Sequence, residues 1–259
     1  MSDDLVSFKM LVVSEAASER QALRRAAAEA AFPVDYREIE HVTDPVPTCS
    51  VVENEALDFI FVDSRMPKPG RQAVFDAAQA VKGRPLVIFV GPADIRTREV
   101  WSDGAAADGV LAKPIDPGEA SAIIGVCARA RLPKRVLVVD DSSTVRSVVR
   151  KVLQASRFRL ETAEAAEGEA ALEQVRKQHF DVVFLDCNMP GLDGFAVLDA
   201  LTRDHPDMQV VMITGARDIR LEDRARAAGA REFLYKPFYA NDIDAVLHRL
   251  FGFVASKAQ

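Results

Sequence analysis

The sequence predicts an α/β protein made of two copies of one domain, each a parallel sheet with helices on both faces. Three observations carry that expectation. Short continuous apolar runs, such as those at 182–185 and 210–213, suit strands buried on both faces. Amphipathic helical patterns separate the runs, with Val145, Val148, Val149 and Val152 on one predicted face and Ala196, Val197, Ala200 and Leu201 on another. The whole pattern recurs once, at an offset of about 123 to 126 residues, too long for a solenoid and suited to a duplicated domain.

Taken in order, the elements match between the copies. The apolar run 9–13 leads into Ser14, Glu15 and an Ala/Arg-rich helix pattern, as 135–139 leads into Asp140, Asp141 and a helix. The run 58–63 ends on Asp63 before Met66-Pro67, as 181–186 ends on Asp186 before Met189-Pro190. Residues 86–91 match 210–215, and Lys113-Pro114 matches Lys236-Pro237. Pro133 stops the helix that precedes it, so the expected domains are 5–131 and 134–253, joined by a short linker that keeps them close. In the first copy Asp44, Pro45 and Pro47 interrupt the place where a regular second helix would start. Right-handed crossovers put every strand's C-terminal end on one edge, where open α/β sheets carry their sites. Asp140, Asp141, Asp186, Thr214 and Lys236 all fall at strand ends there.

Composition narrows the functional classes. Apolar residues make up 49% and charged residues 28%, enough for sizeable cores. A net charge of −6 supplies no global field to gather nucleic acid, so no direct DNA binding is expected. No apolar run reaches the roughly 18 residues of a membrane span, and the N-terminus has no secretion-signal core. Cys49, Cys127 and Cys187 are odd in number and widely spread, which argues against a disulfide framework or zinc site and fits a reducing cytoplasm. No P-loop, Gly-rich dinucleotide loop or nucleophile–base pair suggests a metabolic enzyme.

The second copy has a candidate for every role in phosphoryl transfer to a carboxylate. Clustered acids demand a cation, and hard oxygen ligands suit Mg²⁺. One carboxylate acts as nucleophile, while an ammonium and a hydroxyl hold the phosphoryl oxygens. Asp140-Asp141, Asp186 before Met189-Pro190, Thr214 and Lys236-Pro237, in that order, resemble the response-regulator receiver (CheY-like) domain over essentially all of the second copy. The resemblance implies a flavodoxin-like (βα)5 fold, a five-stranded parallel sheet of order 2-1-3-4-5. It implies Asp186 as phosphoacceptor from a histidine kinase or histidine phosphotransfer protein. Mg²⁺ (or Mn²⁺) would be held by Asp140, Asp141, Asp186 and the backbone carbonyl of Asn188. Thr214 and Lys236 would bind phosphoryl oxygens, Thr214 and Phe233 would form the switch, with the ring turning inward, and Lys236-Pro237 would be cis. Nothing in the sequence pairs with Cys187.

The first copy keeps Asp63, Met66-Pro67 and Lys113-Pro114 but departs elsewhere, which reads as a degenerate receiver. Ser14 and Glu15 replace the acid pair, Val90 replaces Thr214, and Val110 replaces Phe233. Arg65 stands where Asn188 stands, within reach of Asp63 as a counter-ion that dispenses with a metal. Such a domain is expected to act as a binding surface, by dimerising, contacting a kinase or docking on the second domain.

Only a few residues follow Phe253, so no separate output domain is expected. The leading expectation is a response regulator, not an enzyme beyond aspartyl phosphorylation and its slow hydrolysis, that switches binding of a protein effector. The alternatives are a phosphate-independent scaffold acting through the first domain and a phosphate sink. The output face would comprise about residues 218–251, where Arg217, Arg220, Arg224 and Arg226 are interleaved with acids.

Overall fold

The computed structural model describes residues 7–92, 107–156, 158–215 and 219–253. They form two compact units, one running to Arg131 and one spanning Leu132–Gly252. The first contains β1 (Phe8–Val13), β2 (Val34–Ile39), β3 (Phe59–Asp63), β4 (Leu86–Pro92) and β5 (Gly109–Lys113), in the order β2-β1-β3-β4-β5. The second contains β6 (Lys134–Val139), β7 (Leu160–Ala165), β8 (Val182–Asp186), β9 (Gln209–Thr214) and β10 (Glu232–Tyr235), in the order β10-β9-β8-β6-β7. Every pairing is parallel, and numbered within each unit the order is 2-1-3-4-5 in both. This is the flavodoxin-like fold, built twice.

The sequence explains the layering. Central strands β3 and β8 are buried at all five positions, because helices cover both faces of a parallel sheet. Edge strand β2 alternates between partly buried and exposed positions along its first half, as a strand with only one sheet neighbour can. Some helix starts are marked by side chains that take up free N–H groups. Ser142 Oγ accepts from Val145 N ahead of helix Ser143–Ala155, and Asp193 Oδ1 accepts from Ala196 N ahead of helix Gly194–Asp204.

Three expectations need correction. Val148 is 42% exposed, and helix Ser143–Ala155 buries Val149 and Leu153 instead. Ala196 is likewise exposed, and Phe195, Val197, Leu198 and Leu201 form the buried face of helix Gly194–Asp204. In both helices a small shift in phase moves a residue from the edge of the apolar stripe to solvent. The prolines at 45 and 47 do not interrupt a helix. Helix Val46–Asn54 begins among them, with Asp44 Oδ1 accepting from Val46 N at 2.9 Å. Proline is tolerated in a first turn, where its missing N–H would have no helical partner. Among the described residues no helix is long and apolar enough to cross a membrane.

Candidate functional site

In the second unit the C-terminal strand ends bring the chemistry together. Asp140 follows β6, Asp186 closes β8, Thr214 closes β9 and Lys236 follows β10. Asp140, Asp141 and Asp186 each offer an oxygen within 4.8 Å of the others, with Asp140 and Asp186 buried and Asp141 exposed. Lys236 Nζ lies 2.9 Å from Asp140 Oδ2 and 3.1 Å from Asp186 Oδ2. Asp140 Oδ1 accepts from Ser142 N at 2.8 Å.

Three carboxylates, two of them buried against the one ammonium, leave an excess of two negative charges at this edge. Burial and then the Asp140 charge push the Asp186 carboxyl above its ordinary value, against the pull of Lys236 and the Asn188 N–H. For Lys236 burial acts to lower the ammonium, but the bonds to Asp140 and Asp186 prevail and hold it above its ordinary value. An excess of two charges on hard oxygen donors fits a divalent cation such as Mg²⁺, with Asp140, Asp141 and Asp186 as the side chains that could hold it.

Both residues expected to form the switch are buried. Thr214 is buried, and its hydroxyl bonds the neighbouring Cys187 side chain, whose thiol burial pushes up to about 11. At such a value Cys187 is an inert core thiol. Phe233 is only 5% exposed. The Arg226 guanidinium covers it at 4.9 Å from the ring centroid. Asn188 is exposed, and its backbone N–H bonds the Asp186 carboxylate. Lys236-Pro237 and Lys113-Pro114 are both cis. Arg220 and Arg224 lie in helix Ile219–Ala227 with Arg226, whereas Arg217 lies outside the described residues.

The first unit answers the same problem with internal cations. Asp63, fully buried, accepts from Arg65 N and Lys113 Nζ on Oδ1, each at 2.9 Å. Its Oδ2 accepts from Arg65 Nε at 2.9 Å and Nη2 at 2.6 Å. Burial acts to raise the Asp63 carboxyl, but the Arg65 and Lys113 bonds outweigh it and hold it below its ordinary value. Glu19, which the sequence did not single out, also faces this site. Glu19 Oε1 meets Lys113 Nζ at 2.8 Å, and its Oε2 accepts from Ser14 Oγ at 2.6 Å. Glu15 is exposed, and its backbone carbonyl accepts from Arg20 Nη1 at 2.9 Å. Two cations thus meet Asp63 and Glu19, and the exposed Glu15 adds its charge near Arg65. Val90 and Val110 offer neither a hydroxyl nor a ring.

Sequence reasoning also missed Gly194. A Cβ there would collide with the Asp186 carbonyl oxygen and lie 2.9 Å from Cys187 Cα, so the helix start packs directly on the backbone of Asp186. The Asp193-Gly194 pair signals a helix start, but only the fold reveals the close approach.

Comparison with known proteins agrees with this geometry. Residues 136–248 match the family described as Response regulator receiver domain. Protein CcdB of Bacillus subtilis (strain 168) is 36% identical over 119 residues, which cover 46% of this chain and 98% of that protein. Chemotaxis protein CheY-3 of Vibrio cholerae is 34% identical over 119 residues, covering 45% of this chain and 91% of that protein. Several other relatives are longer, the match spanning a quarter to a half of their length. A solved structure described as a probable two-component system response regulator/GGDEF domain protein covers 95% of this chain and 99% of its own, with a TM-score of 0.56. At 21% identity that likeness speaks to the fold, and it extends over both units. The chain belongs to the response regulator receiver family.

Proposed function

We propose that the second unit accepts a phosphoryl group on Asp186 from a histidine kinase or histidine phosphotransfer protein and thereby switches binding of a protein effector, while the first unit is a degenerate receiver that does not. The observation that carries this is the contrast in charge. The Asp186 site has an excess of two negative charges, whereas Asp63 is bonded at both oxygens by internal cations.

Asp140, Asp141, Asp186 and the carbonyl of Asn188 would hold Mg²⁺, which when bound would supply the positive charge that the incoming phosphoryl oxygens need. Asp186 Oδ attacks phosphorus, and the bond to the donor's histidine nitrogen breaks. Lys236, already beside Asp186, passes to the phosphoryl oxygens as an ammonium. The Thr214 hydroxyl leaves the Cys187 side chain to donate to the phosphoryl group. Phe233, buried on the strand beside the one that ends at Thr214, would complete the switch. In the first unit a nucleophile at Asp63 would first have to shed Arg65. A scaffold role for that unit is favoured by this metal-independent closure.

An acyl-phosphate assay tests the proposal. With acetyl phosphate and Mg²⁺, hydroxylamine treatment and peptide mapping place the modified aspartate at 186. Modification at Asp63, or at neither residue, contradicts it.

A further inference from the structure

Arg146 grips the backbone that carries two of the three acids of the second site, Asp140 and Asp141. Its Nη1 donates to the Asp140 carbonyl at 2.7 Å and to the Asp141 carbonyl at 3.3 Å. Its Nε meets Glu164 Oε2 at 3.1 Å, and Arg150 Nε meets Glu164 Oε1 at 3.1 Å. Glu164 is itself tied down, its carbonyl accepting from Gln174 Nε2 at 2.8 Å.

The first unit builds the same clamp around a loop without the acid pair. Arg20 Nη1 donates to the Ser14 carbonyl at 2.8 Å and the Glu15 carbonyl at 2.9 Å. Arg24 Nη2 meets Glu38 Oε2 at 2.9 Å, and Arg20 Nε lies 3.8 Å from the same oxygen. In both units the first residue after the strand is buried, Ser14 at 2% and Asp140 at 0%, and the next, Glu15 or Asp141, is exposed. The clamp therefore accompanies one backbone turn whatever side chains the turn carries. In the second unit that turn decides where two carboxylates point. A carboxylate hangs one carbon from the Asp backbone, so a tilt of the turn displaces its oxygens, and Mg²⁺ demands near-ideal octahedral geometry.

We infer that Arg146 is a positioning residue of the second site, aiming the Asp140 and Asp141 carboxylates at Asp186 by fixing the carbonyls of the loop that bears them. This rests on the proposal that the second unit binds a divalent cation. The planar guanidinium reaches two carbonyls and Glu164 together, which a lysine ammonium cannot reproduce. Arg20 serves as an internal control, since it makes the same backbone contacts where no acid pair follows.

The experiment is Mg²⁺ titration by calorimetry on the full chain, for wild type, Arg146→Met, Arg146→Lys and Arg20→Met. Amide exchange of Ser142, whose N–H donates to Asp140 Oδ1, is followed without metal. Arg146→Met should weaken Mg²⁺ binding about 10- to 100-fold, the loss typical of a partner that orients a metal ligand. It should also remove protection of the Ser142 amide. Arg146→Lys should fall between it and wild type, and carries the test if Arg146→Met does not fold. Arg20→Met should destabilise the chain yet leave Mg²⁺ affinity and the Ser142 amide unchanged. Folded Arg146 variants with wild-type affinity and Ser142 protection would overturn the inference while leaving the proposed function standing. A wild-type chain that binds no Mg²⁺ would remove both.

Discussion

The two homologous aspartates should respond to the same substitution with opposite signs. Asp63→Asn removes the anion that Arg65 and Lys113 surround. Taking one partner from a buried ion pair costs about 3–5 kcal/mol. Arg65 is 53% exposed, so its share is discounted towards that of a surface pair. Lys113 keeps Glu19 at 2.8 Å. A net loss of about 2 kcal/mol remains, a fall in midpoint of roughly 6–8 °C for a unit of this size. Asp186→Asn instead relieves a carboxylate whose charged form is disfavoured by burial and Asp140. The midpoint should therefore rise. Differential scanning calorimetry at pH 7 with a chelator reads both. The pH dependence differs in the same way. The depressed Asp63 contributes stability above its ordinary value of 3.8, lost as pH falls through its folded value. Asp186 is raised, so its favourable contribution is complete below 3.8 and is lost as pH rises through its folded value. Mg²⁺ at about ten times its dissociation constant should then return roughly 1.4 kcal/mol to wild type and less to Asp186→Asn. Shifts of the same sign for the two variants in chelator would refute the charge-balance reasoning.

Other substitutions probe other parts of the second unit. Gly194→Ala forces the helix start off the Asp186 carbonyl and should cost about 1–3 kcal/mol in thermal unfolding, with slower acyl-phosphate formation. Lys236→Met leaves three carboxylates without the ammonium that faces them, so stability in chelator should fall, Mg²⁺ should stabilise the variant more than wild type, and phosphorylation should slow. Arg226→Met removes the cation from the Phe233 face and should cost about 0.5–1 kcal/mol, with faster amide exchange in β10 if the ring is held as described.

Much of this was legible in the sequence because strand-end chemistry is local. Asp186 and Lys236 sit at fixed places relative to apolar runs, and a parallel sheet brings such places to one edge. The exchange of Asn188 for Arg65 was readable as a counter-ion for the same reason, two residues being a short reach. Glu19 was not, because its role depends on a helix turning its first-turn side chain back over the sheet edge, where Glu15 faces out. The Arg146 and Arg20 clamps were hidden because their targets are carbonyls, which carry no residue identity. The cover that Arg226, from a neighbouring helix, gives the Phe233 ring is a contact that spacing along the chain does not reveal.

The most direct test of one working and one closed site is intact-mass spectrometry after incubation with a small phosphodonor and Mg²⁺, on wild type, Asp186→Asn and Asp63→Asn. One added phosphoryl group on wild type and Asp63→Asn, none on Asp186→Asn and none without Mg²⁺, is the expected result. Two groups on wild type, or one that survives Asp186→Asn, would contradict the account.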